Sequence, residues 1–191
     1  MKQTALLSSF LVLTLFFNGC GNDAKQAQEP VTAIEKKVIN ENEYHLTAID
    51  NSKYIIKKQN NGFILQNAED KIIILDIFAT WCPPCRAAVS HLSSLKEKYK
   101  DDLIIIALTI ETPISNEKLN DFKTKNNANY TFVNSPENKR LIDAVASSLD
   151  VGKRFPIPLM AMYKDGKLIN HYVGMVEEEF IESDIKRALE K

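Results

Sequence analysis

Two cysteines stand two residues apart in "WCPPC", residues 81–85, shortly after the apolar run "KIIILDIF", residues 71–78. Such a pair supports three chemistries: a structural disulfide, part of a soft-metal site, or a thiol–disulfide couple that cycles. A structural disulfide gains most by closing a long loop, and Cys82 and Cys85 close a very short one. The metal alternative, a copper-handling or metallochaperone protein, needs a further ligand. His45, His91 and His171 are scattered along the chain, and His171 is the candidate. His91, well inside the helix expected after the pair, reads as a surface or packing residue. A cycling couple needs a reactive thiolate. A cysteine between a buried strand and a helix sits where free N–H groups and the helix dipole favour an anion. Pro83 and Pro84 suit a first helical turn, because they lack N–H groups and their φ is fixed. Arg86 adds a positive charge nearby.

The elements that must position this pair follow from periodicity. Residues 71–78 form a nearly continuous apolar run, broken only by Asp76, as in a strand covered on both faces. Ala88, Leu92, Leu95 and Tyr99 lie three or four apart and make one helical stripe. "DLIIIALTI", residues 102–110, reads as a second buried strand. Residues 115–125 and 138–149 read as helices, with residues 130–133 a short strand between them. Pro158–Tyr163 is a strand, Lys164-Asp165-Gly166 a turn, and Lys167–Val173 its hairpin partner. Residues 177–189 close the chain as a helix. Upstream, Tyr44–Ile49 and Lys53–Lys57 alternate as a hairpin, and Phe63–Gln66 adds a strand. The order predicts an α/β fold: a central mixed sheet flanked by helices, with an N-terminal hairpin and an inserted helix–strand segment.

The chain of 191 residues is long enough for one domain with a sizeable core. Its start, "MKQTALLSSFLVLTLFFNGC", has Lys2 and then an apolar stretch from Ala5 to Phe17. That stretch is about the length of a signal-peptide core and too short to span a bilayer. "FNGC" resembles a lipoprotein lipobox, with cleavage after Gly19 and lipid on Cys20. Phe17 departs from the commonest residue of that motif. The expected organisation is a signal peptide at 1–19, a lipidated Cys20 opening a flexible tether over 20–41, and a folded domain over 42–191. About 20 flexible residues reach roughly 25 Å, so the domain would stay near its own membrane. Lipidation of Cys20 leaves Cys82 and Cys85 as the only free thiols. Removing residues 1–19 moves the formal charge from −1 to −2, since Lys2 goes and no acid does. This near-neutral balance gives no reason to expect nucleic acid as a partner. No Gly-rich phosphate loop is present, and no cofactor is expected.

"WCPPC", an Asp six residues before its first cysteine, and "IPLMAMYKDGKL" downstream together resemble the thioredoxin superfamily. The hairpin before the core and the extra helix–strand–helix segment resemble its TlpA/ResA/CcmG-like branch of extracytoplasmic thiol–disulfide oxidoreductases. The resemblance spans about residues 42–190. It implies a thioredoxin-like fold, with Cys82 as attacking and Cys85 as resolving cysteine, paired in the oxidised state. It implies that Trp81 packs beside the disulfide, and that Pro158 is a cis-proline that with Ile157 offers backbone to the substrate. Asp76 would help deprotonate Cys85. Two positions depart from relatives: Ala107 stands where cytoplasmic thioredoxins often carry a lysine, and Ala88 where ResA-like proteins often carry a glutamate. The implied protein is a membrane-anchored reductant of protein disulfides in the periplasm, possible in cytochrome c maturation and recharged by a membrane donor of the DsbD/CcdA type. An oxidase that donates its disulfide is the alternative direction.

Overall fold

A computed structural model of the chain describes residues 40–190. The signal segment, Cys20 and nearly all of the expected tether lie outside the described residues. Eight strands and four helices follow in the order β1 (Glu43–Thr47), β2 (Lys53–Gln59), β3 (Gly62–Leu65), β4 (Ile72–Phe78), α1 (Pro83–Lys98), β5 (Leu103–Thr109), α2 (Asn116–Lys125), β6 (Thr131–Val133), α3 (Asn138–Ser148), β7 (Leu159–Lys164), β8 (Lys167–Val173) and α4 (Glu178–Leu189).

The central sheet has the order β6-β5-β4-β7-β8. β4, β5 and β6 are parallel, β7 runs antiparallel to them, and β8 pairs antiparallel with β7 and so returns to the direction of β4. Strand β4 lies in the middle, and all seven of its residues are buried. Successive side chains of a strand point to opposite faces, so β4 divides the core in two. Ile72, Ile74 and Phe78 pack with Val89, Leu92 and Leu95 of α1, Phe122 of α2, and Ile181 and Ile185 of α4. Ile73, Leu75 and Ile77 pack on the other side, against Leu141 and Val145 of α3 and against the N-terminal strands. Full burial of side chains such as Leu92 and Leu95 contributes roughly 1.5–3 kcal/mol each relative to exposure.

The N-terminal hairpin and β3 form a separate antiparallel sheet, β1-β2-β3. Tyr44, Leu46, Ile56, Phe63 and Leu65 give this small sheet an apolar face. That face covers the side of the central sheet that α3 leaves open, so helices alone do not flank it. The two sheets touch closely where Gly62 meets the β7–β8 turn. A Cβ on Gly62 would stand 2.2 Å from the carbonyl oxygen of Gly166, so no larger residue fits without moving backbone. The turn itself places Asp165 and Gly166 at φ of 52° and 71°, the left-handed region that Gly and Asp tolerate best.

Candidate active site

Helix α1 begins at the end of the central strand. Cys82 is its N-cap, in extended conformation, with Pro83 and Pro84 at the first two helical positions. The opening turn of a helix carries N–H groups without intrahelical partners. The two prolines have none, so the Cys85 N–H is the first that needs an acceptor. It donates to Cys82 Sγ at 3.2 Å. Cys82 and Cys85 are joined as a disulfide, with Cα atoms 5.3 Å apart. Once the bond is reduced, the same N–H and the helix end favour negative charge on the Cys82 sulfur. The first turn contains no acidic residue to oppose this. Arg86 is exposed on the helix surface.

The second wall of the site comes from the segment before β7. The Ile157–Pro158 peptide is cis, as is Thr112–Pro113, which no sequence motif singles out. Ile157 presents its carbonyl oxygen 3.7 Å from Cys82 Sγ. Both cysteines are only 3% accessible in the disulfide form. The helix end faces the Ile157 backbone instead of open solvent. Trp81 carries the exposure, at 61%.

Asp76 lies in β4 on the same face as Ile74 and Phe78, the face that packs against α1 and the two cysteines. Its row across the sheet reads Phe132, Ala107, Asp76, Met160, Tyr172. Ala107 is thus the direct neighbour of the carboxyl in β5. A methyl group stands there, and no cation balances the acid from that strand. Asp76 is 4% accessible, and its Oδ1 has no hydrogen-bond partner among the described residues. Burial pushes its pKa up to about 7, because an apolar surrounding penalises the charged form. The buried Tyr130 hydroxyl is raised well above its ordinary value by burial and then by the Asp76 charge.

The residues that periodicity cannot supply hold the loop in front of Trp81. Glu111, just beyond β5, accepts from the Thr80 N–H at 2.6 Å and from the Thr80 hydroxyl at 3.1 Å. Lys118 Nζ reaches the same carboxylate at 2.7 Å. Burial alone would raise the pKa of Glu111, but the bonds from Lys118 and Thr80 outweigh it and hold the carboxyl below its ordinary value. Thr80 and Glu111 are 31 residues apart, so no local pattern links them; a charged residue directly after a buried strand was the one available signal. Glu111→Ala removes the acceptor of two Thr80 bonds and leaves the Thr80 N–H short of a partner. We expect a loss of about 1–3 kcal/mol in denaturant unfolding. Glu111→Gln, which keeps a carbonyl acceptor, should recover much of it. Equal stability of the Ala variant and wild type would mean that Glu111 does not secure the loop.

The histidines do not gather at the pair. His91 Nδ1 lies 3.0 Å from the Val176 carbonyl oxygen and ties α1 to the segment before α4, a packing role. His45 is on the N-terminal sheet. His171 pairs with Ala161 in the sheet. Ala161 faces the α3 side of the core, so His171 is on the opposite face from the cysteines.

A thiol pair at a helix start, a cis-proline segment facing it and a buried acid beneath it define a thioredoxin-like thiol–disulfide oxidoreductase. The chain belongs to the AhpC/TSA family, whose model matches residues 46–172. It is similar to the thiol-disulfide oxidoreductase ResA of Bacillus anthracis, 26% identical over 150 residues, covering 72% of this chain and 81% of that one. It is also similar to Thioredoxin-1 of Drosophila melanogaster, 30% identical over 77 residues, covering 40% of this chain and 68% of that one. Among solved structures, a thioredoxin-family thiol:disulfide interchange protein of Chlorobium tepidum superposes with a TM-score of 0.59 at 18% identity, covering 77% of this chain and 93% of that one. These likenesses agree with the fold described above.

Proposed function

We propose that the protein is a membrane-tethered reductant of protein disulfides facing the periplasm, held by lipid on Cys20 and a tether over 20–41. Cys82 is the attacking thiol. Its thiolate attacks one sulfur of a substrate disulfide, forms a mixed disulfide and releases the other substrate sulfur as a thiolate, which takes a proton. Cys85, after losing its proton, attacks Cys82 Sγ and releases the second substrate thiol. The protein ends as the Cys82–Cys85 disulfide, and the substrate gains two electrons and two protons. Trp81, Ile157 and Pro158 frame the substrate around this exchange. An apocytochrome with a CxxCH pair, which must be reduced before haem attachment, is the substrate class that the family suggests first. A membrane electron donor of the DsbD/CcdA type restores the dithiol.

The observation that carries the direction is the modest support for a thiolate on Cys82. One backbone N–H and the helix end stabilise it. No histidine lies between the cysteines, no lysine lies beside them, and the buried Asp76 opposes a second negative charge when ionised. A strong oxidant depends on a heavily stabilised thiolate. The test is thiol trapping in growing cells. Cys82 and Cys85 should be mostly reduced, and should become oxidised when the membrane donor is deleted. A mostly oxidised pair at steady state would make the protein a disulfide donor. Detergent partitioning of the native protein, lost on Cys20→Ser, tests the anchor separately.

A further inference from the structure

Beside the disulfide lies a cleft of about 630 Å³ whose walls include Trp81 from the loop before α1, Ile110 from the end of β5, and Phe155 and Ile157 from the segment before β7. Ile157 connects it to the chemistry, since its carbonyl oxygen touches Cys82 Sγ. The apolar walls are open to solvent: Trp81 is 61% and Ile110 40% accessible. Exposed apolar surface of this kind beside a reactive group is the mark of a binding site.

The rim of the cleft carries an excess of positive charge. Lys153 and Arg154 line it, both are exposed, and neither has an ion-pair or side-chain hydrogen-bond partner among the described residues. Lys139 also lines it but is taken up by Asp143, one helical turn on. Three cations against one acid leave two positive charges at the mouth, on a protein whose formal net charge is −1. The cleft therefore differs in sign from the molecule around it.

We propose that this cleft takes the stretch of substrate chain flanking the disulfide, and selects stretches that combine an aliphatic or aromatic side chain with a carboxylate. The apolar side chain fills the space between Trp81 and Phe155, and the carboxylate meets Lys153 and Arg154. This specificity rests on the disulfide-reductant reading above and adds a substrate class to it. Rim charges steer encounter and reject the wrong partner more than they tighten binding, so the effect belongs in the rate of attack.

Single-turnover kinetics test it. Pre-reduced protein is mixed with one of two disulfide-linked peptide dimers, with either leucine and glutamate or leucine and lysine flanking the cysteine. Emission of Trp81, the only tryptophan, follows oxidation of the pair. Each peptide's rate is divided by its rate with dithiothreitol, which removes differences in intrinsic reactivity. The glutamate peptide should react about tenfold faster at low salt, consistent with two exposed charge contacts, and the advantage should shrink at about 0.5 M salt, where the Debye length is shorter. In the Lys153→Glu/Arg154→Glu variant the ratio of the two rates should fall to unity or invert, and this ratio is independent of how much variant is active. Equal rates for the two peptides with wild type, or a preference that survives the double reversal, would overturn the proposal. Neutral hydroxyethyl disulfide separates the two levels. If it oxidises the reduced protein while the peptides are not distinguished, the cleft assignment alone fails; if it does not, the reductant reading fails with it.

Discussion

Cys85→Ser should convert the protein into a trap, accumulating mixed disulfides between Cys82 and its substrates. The expectation follows from the geometry at the start of α1. Cys82 Sγ accepts the Cys85 N–H, a backbone group that a serine at 85 retains, so the attacking thiolate keeps its support. The second thiol needed to release the substrate is gone. Cys82→Ser should trap nothing, and disulfide reduction should fall by on the order of a thousandfold or more, because a serine hydroxyl is not ionised at neutral pH and is no substitute for a thiolate. Non-reducing electrophoresis of both variants, with covalently captured partners identified by mass spectrometry, checks this. Equal trapping by both variants would mean that the order of the two cysteines is wrong.

Much of the fold was legible because each element carries its own period. Residues 71–78 are apolar on both faces, and β4 is the central strand. The stripe from Ala88 to Tyr99 marks α1, and "KDG" marks the β7–β8 turn. The position of Cys82 at a helix N-terminus could be read from a strand, two prolines and an apolar stripe in succession. Periodicity says which side of an element is covered, but not what covers it. The three-stranded N-terminal sheet illustrates the limit: its alternation fits membership of the central sheet as well as a separate layer, and only the contact of Phe63 and Leu65 with the β4 face decides. The same holds at the site. That Ile157 closes over Cys82 and that Glu111 fastens Thr80 are contacts between segments at least 30 residues apart, and that Trp81 is left exposed depends on what the rest of the chain fails to cover. The rim of the cleft was equally hidden, because Lys153 and Arg154 gain meaning only from lining the same cleft as Trp81.

Asp76→Asn should separate the chemistry of the buried acid from its cost to the fold. In the folded protein the Asp76 carboxyl holds its proton up to about pH 7, through burial, against 3.8 as its ordinary value. Between these two values the native state binds a proton that the unfolded chain has released, so stability falls as pH rises from about 4 and the full penalty is present above about 7. The difference of roughly three pH units corresponds to at most about 4 kcal/mol. Asparagine never ionises and escapes this penalty. The variant should therefore match wild type near pH 4 and be more stable at pH 8, by up to about 10 °C in unfolding temperature for a domain of this size. Its redox chemistry should change in the opposite sense. A carboxyl that titrates near 7 can take the Cys85 proton at working pH, and asparagine cannot. Resolution of a preformed mixed disulfide should slow by on the order of a hundredfold, and the rise of its rate through pH 7 should disappear. The first attack by Cys82, which uses the helix end and not the acid, should change by no more than about threefold. Rapid-mixing kinetics on a mixed disulfide with a chromogenic thiol, from pH 5 to pH 9, read both steps. Stability curves that run parallel for Asp76 and Asn across this range, or a resolution step that keeps its inflection near 7 in the variant, would assign the proton transfer to another group.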